Sequence, residues 1–371
     1  MKKLPDTITD KALRGIAVKV YEGTPVSAAD ARLLLAANSI LDLGRISSHV
    51  RYRLHGDAAY YGVNMNLNFT NICELRCPLC AFSRCAGEAG AYLLTLGDIE
   101  RRVKKAAADG VDEVHIVGGL NPELRLSYFE EMLRRVKKIK PGMFITAFTA
   151  VEIEYFAKNE GISVEETLRR LITAGLGAMP GGGAEIFSPR VRKVIAPLKI
   201  SGKRWLEIMR TAHAAGLKTN ATLLYNHLET RSDIVDHLSR VRKLQEETGG
   251  FKTFVPLAFH GWNTAVRARR AETTGYDDIR VYAASRIFLH NVPHIKALWM
   301  YLGEKMAQVL LRFGVDDFAG TYSGERVVHA AGAATADRGS EAFLRNMIIN
   351  AGLRPVRTTA GYGTRKGRRL Q

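Results

Sequence analysis

Cysteine is scarce in this chain: four in 371 residues, three of them within the eight residues from Cys73 to Cys80. That distribution excludes a disulfide framework and predicts a reducing compartment. Long apolar runs are missing as well, and no window approaches the roughly 18 continuous apolar residues of a membrane span. The opening Met1-Lys-Lys-Leu-Pro-Asp-Thr7 leads into a charged amphipathic segment without the apolar core of a signal peptide. Together these absences predict a soluble, cytoplasmic protein. Acids are also in short supply, 37 against 54 Lys and Arg, for a net charge of +17. Six of the bases fall in Arg354–Gln371, where there is no acid at all, and this segment reads as a solvated, partly disordered tail. Without those six the body keeps +11 (17 − 6), which favours anionic ligands. No RNA-binding module or aromatic-interleaved basic stretch accompanies the charge, so nucleic acid is not expected.

The informative stretch is Asn64 to Cys85, where an alternating, strand-like run leads directly into Cys73, Cys77 and Cys80 at C-x3-C-x2-C spacing. Thiolates are soft ligands suited to zinc or iron–sulfur clusters. Adding Cys85 would give four sulfurs and a structural zinc site. Zinc ribbons, however, usually use two separated C-x2-C knuckles, and a chain of this length does not need a metal to fold. A cubane cluster normally takes four cysteines. Three in one loop would leave one iron open to a small molecule, with Cys85 not a ligand.

Residues 8–55 carry helical spacing, with Ser27-Ala-Ala-Asp30 resembling a capping box. From Asn64 onward the pattern alternates strand, loop, helix and glycine. The helix-closing glycines Gly110, Gly142, Gly175, Gly216 and Gly249 recur 32 to 41 residues apart, about one βα unit each. Strands are predicted at 63–69, 111–117, 143–148, 176–179, 219–225, 251–257 and 295–300, with a short eighth at 315–321. Eight such units imply a (β/α)8 TIM-type barrel, with an open doubly wound sheet as the alternative. The predicted organisation is a helical extension over 1–60, a barrel over 61–330, and a C-terminal helix and basic tail over 331–371.

Barrel active sites lie at the C-terminal ends of the strands, so the strand ends supply the candidates. Gly118-Gly119 after the second strand allows close backbone approach to a ligand or makes a simple tight turn. Thr149 and Glu152 suit ribose or substrate hydrogen bonds, or equally a helix cap and its first-turn acid. Pro180-Gly-Gly-Gly-Ala-Glu185 offers Gly182 as part of a backbone wall and Glu185 as a carboxylate facing a ligand. Asn220, Thr222, His227 and His260 follow on the fifth and sixth strands. Lys296 reaches an anion if it points inward. His213 and His237, on helices, read as structural.

Asn68-Phe-Thr-Asn71, Cys80-Ala-Phe-Ser-Arg84, Gly118-Gly119, Pro180-Gly-Gly-Gly-Ala-Glu185 and Glu247-Thr-Gly-Gly-Phe251 together resemble the menaquinone and deazaflavin branch of the radical S-adenosylmethionine (radical SAM) enzymes. The resemblance runs from about Tyr61 to about Ala330. Within the branch, Phe148-Thr-Ala-Val-Glu-Ile153 and Pro256-Leu-Ala-Phe-His260 are similar to aminodeoxyfutalosine synthases. The cyclic dehypoxanthine futalosine synthases and the deazaflavin-forming enzymes differ at both places and stand as the alternatives. The resemblance implies a [4Fe-4S] cluster on Cys73, Cys77 and Cys80, and S-adenosylmethionine as co-substrate near Leu79, Gly118, Gly119, Thr149 and Glu185. It further implies a flavodoxin- or ferredoxin-type electron donor and 3-[(1-carboxyvinyl)oxy]benzoate as second substrate. Glu152, Gly182, Asn220, Thr222 and Lys296 are the expected substrate contacts. Arg84, His227 and His260 are expected to grip a substrate carboxylate or to assist decarboxylation.

Overall fold

The computed structural model describes residues 3–363 apart from 269, 271 and 337. Ten strands run β1 (Ala58–Gly62), β2 (Asn64–Leu67), β3 (Glu113–Ile116), β4 (Phe144–Ala147), β5 (Ala178–Met179), β6 (Lys218–Tyr225), β7 (Phe251–Ala258), β8 (His294–Ile295), β9 (Asp317–Gly320) and β10 (Arg354–Thr358). Strands β2 to β8 pair in chain order as one curled sheet, and every pairing is parallel. Helices connect successive strands, as parallel crossovers require. Strand β9 fills the gap between β8 and β2 through single bridges, Lys296 to Asp317 on one side and Met65 to Ser323 on the other. The barrel reading therefore holds, with a loosely stitched seam at its eighth strand.

Capping accounts for where several helices begin. Ser27–Asp30 and Thr95–Asp98 make full capping boxes, and the Ser163 hydroxyl accepts the Glu166 amide. Gly175 and Gly249 end their helices in the left-handed conformation, where a Cβ would be strained. The lead-in forms helices Lys11–Glu22, Ala28–Ala36 and Ile40–His55, and the last two pack on helix Gly275–Phe288 of the outer layer.

Three sequence expectations change. Residues 58–62 form β1, a strand just where the helical lead-in was expected to end. The expected strand at 295–300 shrinks to His294–Ile295, because Trp299–Leu302 turns into a short helix. Arg354–Thr358, read as the start of a solvated tail, is a strand parallel to β1, which itself pairs with β9. Its charges are matched in place: Arg357 binds Asp112 and Glu341, and Arg354 reaches Asp57. Arg365, Lys366, Arg368 and Arg369 lie outside the described residues. Among the described residues no helix is long and apolar enough to cross a membrane.

The strand starts are tied together by a buried ion pair. Arg286 is fully enclosed and donates to Asp316 and to the carbonyls of Gly314, Val292 and Pro293. Asp316 also accepts from the Ile295 amide and sits 2.6 Å from His294 Nδ1. Removing one partner of such a pair leaves the other charge buried and uncompensated, which costs about 3–5 kcal/mol. Arg286→Met is therefore expected to destabilise the fold by that amount, read from the midpoint of denaturant unfolding.

Candidate active site

A cavity of about 360 Å³ opens at the C-terminal ends of the barrel strands, within the range of small-molecule sites. Its upper wall is the loop after β2. Two backbone bonds close the neck of that loop, Cys73 N–H to the Arg84 carbonyl and Arg84 N–H to the Asn71 carbonyl. Asn71 clamps the returning chain, donating to Gly90 O and accepting from Tyr92 N–H, while Thr70 donates to the Tyr92 carbonyl. The loop tip is anchored by Leu79 N–H on the Ile195 carbonyl. Cys73, Cys77, Leu79 and Cys80 all line the cavity. Burial pushes the Cys77 thiol up, and the nearby sulfurs of Cys80 and Cys73 add to this while Lys199 opposes it. Cys85 is exposed, does not line the cavity, and takes a hydrogen bond from Arg76.

The turn after β3 is pressed against this loop. A Cβ on Gly119 would lie 2.1 Å from the Ile72 carbonyl oxygen, and one on Gly118 would meet the Phe69 ring at 2.6 Å. Both glycines face the cavity, yet their first requirement is close packing. Glu152 spends one carboxylate oxygen on Gly118 N–H and the other on Thr149 N–H, and Thr149 Oγ1 accepts in return from Glu152 N–H. The helix-cap alternative is thus realised, and Glu152 lines the cavity as well. Burial pushes its carboxyl up to about 7, against the pull of those hydrogen bonds. After β5, a Cβ on Gly182 would meet the Thr149 methyl at 2.8 Å; the Gly182 carbonyl accepts from Trp205 Nε1, while Thr222 donates to the Gly181 carbonyl. Glu185, at φ 45°, pairs with Lys199 at 2.8 Å. Burial pushes the Glu185 carboxyl up, but Lys199 outweighs it and holds the group low.

Of the remaining expected residues, Asn220, Thr222, Lys296 and His260 line the cavity. His260 bonds the Tyr301 carbonyl through Nε2 at 2.8 Å, and Lys296 sits 3.3 Å from Asp317. Two expectations fail. His227 is enclosed away from the cavity, with Nε2 against the Leu224 carbonyl and Nδ1 accepting from Leu228 N–H. Arg84 donates to the Ala81 and Ser83 carbonyls, so it closes the cysteine loop instead of facing a substrate. Sequence reasoning passed over Lys199, Glu113, His115 and Tyr322, which also line the cavity. Alternation along β2 and β3 was the available signal for the strand residues, since Asn66, Glu113 and His115 share the inward parity. Lys199 sits between two helices and carries no such mark.

Comparison with known proteins decides the family. Residues 67–241 match the radical SAM superfamily, and residues 248–369 match the CofH/MqnC C-terminal region. The aminodeoxyfutalosine synthase of Thermus thermophilus is 42% identical over 358 residues, 96% of each chain. The chain belongs to the radical SAM superfamily. This radical SAM enzyme is also 36% identical to the aminodeoxyfutalosine synthase of Streptomyces coelicolor, over 94% of this chain and 93% of the relative. The 5-amino-6-(D-ribitylamino)uracil–L-tyrosine 4-hydroxyphenyl transferase of Methanopyrus kandleri is 36% identical over 98% of both. In fold it resembles methylornithine synthase, with a TM-score of 0.74 at 17% identity over 92% of this chain and 97% of that one.

Radical SAM enzymes carry a [4Fe-4S] cluster and use S-adenosylmethionine. The residues fit that group. Three soft donors converge on the cavity, Cys85 stands apart, and Lys199 supplies a cation beside the sulfurs. After anaerobic reconstitution, Cys73→Ser, Cys77→Ser and Cys80→Ser are each expected to lose most of their iron, while Cys85→Ser keeps its full content. Iron and sulfide analysis reads both. Gly119→Ala, which drives a methyl into the Ile72 backbone, is expected to lower iron content without touching a ligand.

Proposed function

We propose that this radical SAM enzyme is an aminodeoxyfutalosine synthase. It would convert S-adenosylmethionine, 3-[(1-carboxyvinyl)oxy]benzoate and water into 6-amino-6-deoxyfutalosine, methionine and bicarbonate. The observation that carries the reading is the 42% identity to the Thermus thermophilus synthase along 96% of both chains. When bound, the cluster would supply the electron that cleaves S-adenosylmethionine, freeing the 5′-deoxyadenosyl group to add to the vinyl carbon of the second substrate, and would take the electron back as bicarbonate is lost, so that turnover is redox-neutral.

The chain's own residues then have definable tasks. Cys73, Cys77 and Cys80 hold the cluster. Gly118 and Gly119 offer backbone to the methionyl end, positioned by Glu152. Leu79, Thr149 and Glu185 face the adenosyl group, with Lys199 keeping the Glu185 carboxylate ionised. Asn220, Lys296 and His260 face the second substrate. A carbon radical survives only where water and stray hydrogen donors are kept out, and the apolar side of the cavity provides Leu224, Val255, Leu257, Leu298 and Met300. An electron donor of the flavodoxin or ferredoxin type and a cytoplasmic setting complete the proposal.

A second reading has its own support. The Methanopyrus kandleri relative, named for transfer of a 4-hydroxyphenyl group from L-tyrosine to 5-amino-6-(D-ribitylamino)uracil, aligns over 98% of this chain. The test is to give the reconstituted enzyme, with reductant and S-adenosylmethionine, each substrate set in turn and to analyse products by mass spectrometry. An adduct joining adenosine to the benzoate is the expected result. A product joining the tyrosine-derived aryl group to the uracil, with no adenosine adduct, would assign the second reading and overturn the first.

A further inference from the structure

The middle of a TIM-type barrel is ordinarily filled by layers of Val, Ile and Leu. Here it is polar. Asn66, His115 and Thr146 stand in register on β2, β3 and β4, and all three line the cavity below the strand ends. Some of the interior polar groups are satisfied internally. Thr146 donates to Glu113, which also accepts the Ala360 amide, and Lys296 faces Asp317. Others have nothing to bond. Among the described residues the side-chain amides of Asn66 and Asn220 make no hydrogen bond, and their Oδ1 atoms are fully enclosed. The His115 imidazole has no hydrogen-bond partner either, although it lines the cavity. Buried polar groups are nearly always paired, so unpaired ones gathered in one cavity mark the place of a ligand.

Charge says which kind. Burial lowers the His115 pKa to about 4, so the ring is neutral, and the charges acting on it are the ammonium groups of Lys296 and Lys252. Lys252 is itself buried with no partner for Nζ. A neutral imidazole with a free N–H and the unbonded amide N–H groups of Asn66 and Asn220 can all donate to an anion, beside Lys296, which shares its charge with Asp317, and Lys252, which burial pulls down to about 7. That anion is not the carboxylate of S-adenosylmethionine, which belongs with the cysteines at the strand ends.

We propose that His115, with Asn66 and Asn220, forms a carboxylate-binding subsite inside the barrel that takes the ring carboxylate of the second substrate. The inference rests on the synthase reading and deepens it. The substrate has two carboxylates, and the one on the vinyl group leaves as bicarbonate. An anchor on the leaving group would be lost during turnover, whereas the benzoate carboxylate persists into the product. Gripped from below, the ring presents its vinyl ether upward, toward the adenosyl group. His115 acts here by binding substrate, with no proton transfer required of it.

The test compares 3-[(1-carboxyvinyl)oxy]benzoate with 2-phenoxyacrylate, which lacks only the ring carboxylate, on cluster-loaded enzyme. The wild-type enzyme is expected to favour the benzoate in kcat/KM by a factor on the order of 10 to 100, the range of one or two charge-assisted hydrogen bonds. His115→Ala should raise KM for the benzoate by about as much, leave 2-phenoxyacrylate unchanged, and so collapse the ratio; His115→Gln, which keeps a donor, should restore part of it. A wild-type enzyme indifferent to the ring carboxylate, or a His115→Ala enzyme with the full preference, would overturn the subsite. If the wild-type enzyme cleaves S-adenosylmethionine but makes adduct from neither compound, the synthase reading fails separately. Calorimetry with 3-hydroxybenzoate then decides the subsite: binding that is lost in His115→Ala supports it, and no binding to the wild-type enzyme overturns it.

Discussion

The backbone of Gly119 lies so close to Ile72 and Cys73 that no side chain fits between them, and the rest of the site depends on that contact. It fixes the cysteine loop against the end of β3. Glu152 extends the constraint to the end of β4 by holding the amides of Gly118 and Thr149 with one carboxylate. Thr149 in turn packs its methyl on Gly182, and Thr222 bonds the neighbouring Gly181 carbonyl. The ends of five strands are thus coupled by contacts a few ångströms long. The positions of the three sulfurs and of the glycine walls are set together.

Interior polarity is the other organising feature. Filling a barrel with amides, lysines and carboxylates sacrifices apolar burial and exposes the fold to unpaired groups. The chain offsets much of this by internal pairing, with Lys296 and Asp317, Glu113 and Thr146, and Glu185 and Lys199. Of the groups left unpaired, Asn66, Asn68 and Asn220 line the cavity, while others such as Ser285 and Asn291 lie elsewhere in the fold. Lys252, which burial pulls down to about 7 and whose Nζ has no partner, is one group held in an unfavourable setting. Such strain is expected where function, and not stability, selects the residue.

Much of this was legible in the sequence because the signals were local. Cysteine spacing, Gly-Gly at a strand end and Ser or Thr three residues before an acid each act within a few residues. Less was legible where the deciding contact is distant. His227 looked like a strand-end histidine facing the cavity, but its ring is taken up by the Leu224 carbonyl, the Leu228 amide and Glu229. Arg84 adjoins the cysteines in sequence, yet its guanidinium turns back on its own loop. Residues 354–358 read as tail because their bases have no acids nearby in sequence; the acids come from Asp57, Asp112 and Glu341. Glu152 shows a signal with two meanings, a helix cap that also faces the cavity.

That C-terminal strand has a consequence for how the barrel is closed. Strand β10 pairs with β1 across nearly the whole chain, and the residues just beyond it place Ala360 on the cavity wall and Tyr362 between Thr253 and Asp317. The lower end of the barrel is therefore completed only when residues 354–362 have joined it. Long-range pairings of this kind form late in folding. The cysteine loop reaches Ala265 through the Pro78 carbonyl and Arg326 through the Tyr92 ring, so these contacts precede the segment that closes the bore beneath it. The two ends of the bore thus draw on different spans of the sequence, the cysteine loop on residues up to Arg326 and the lower end on residues 354–362.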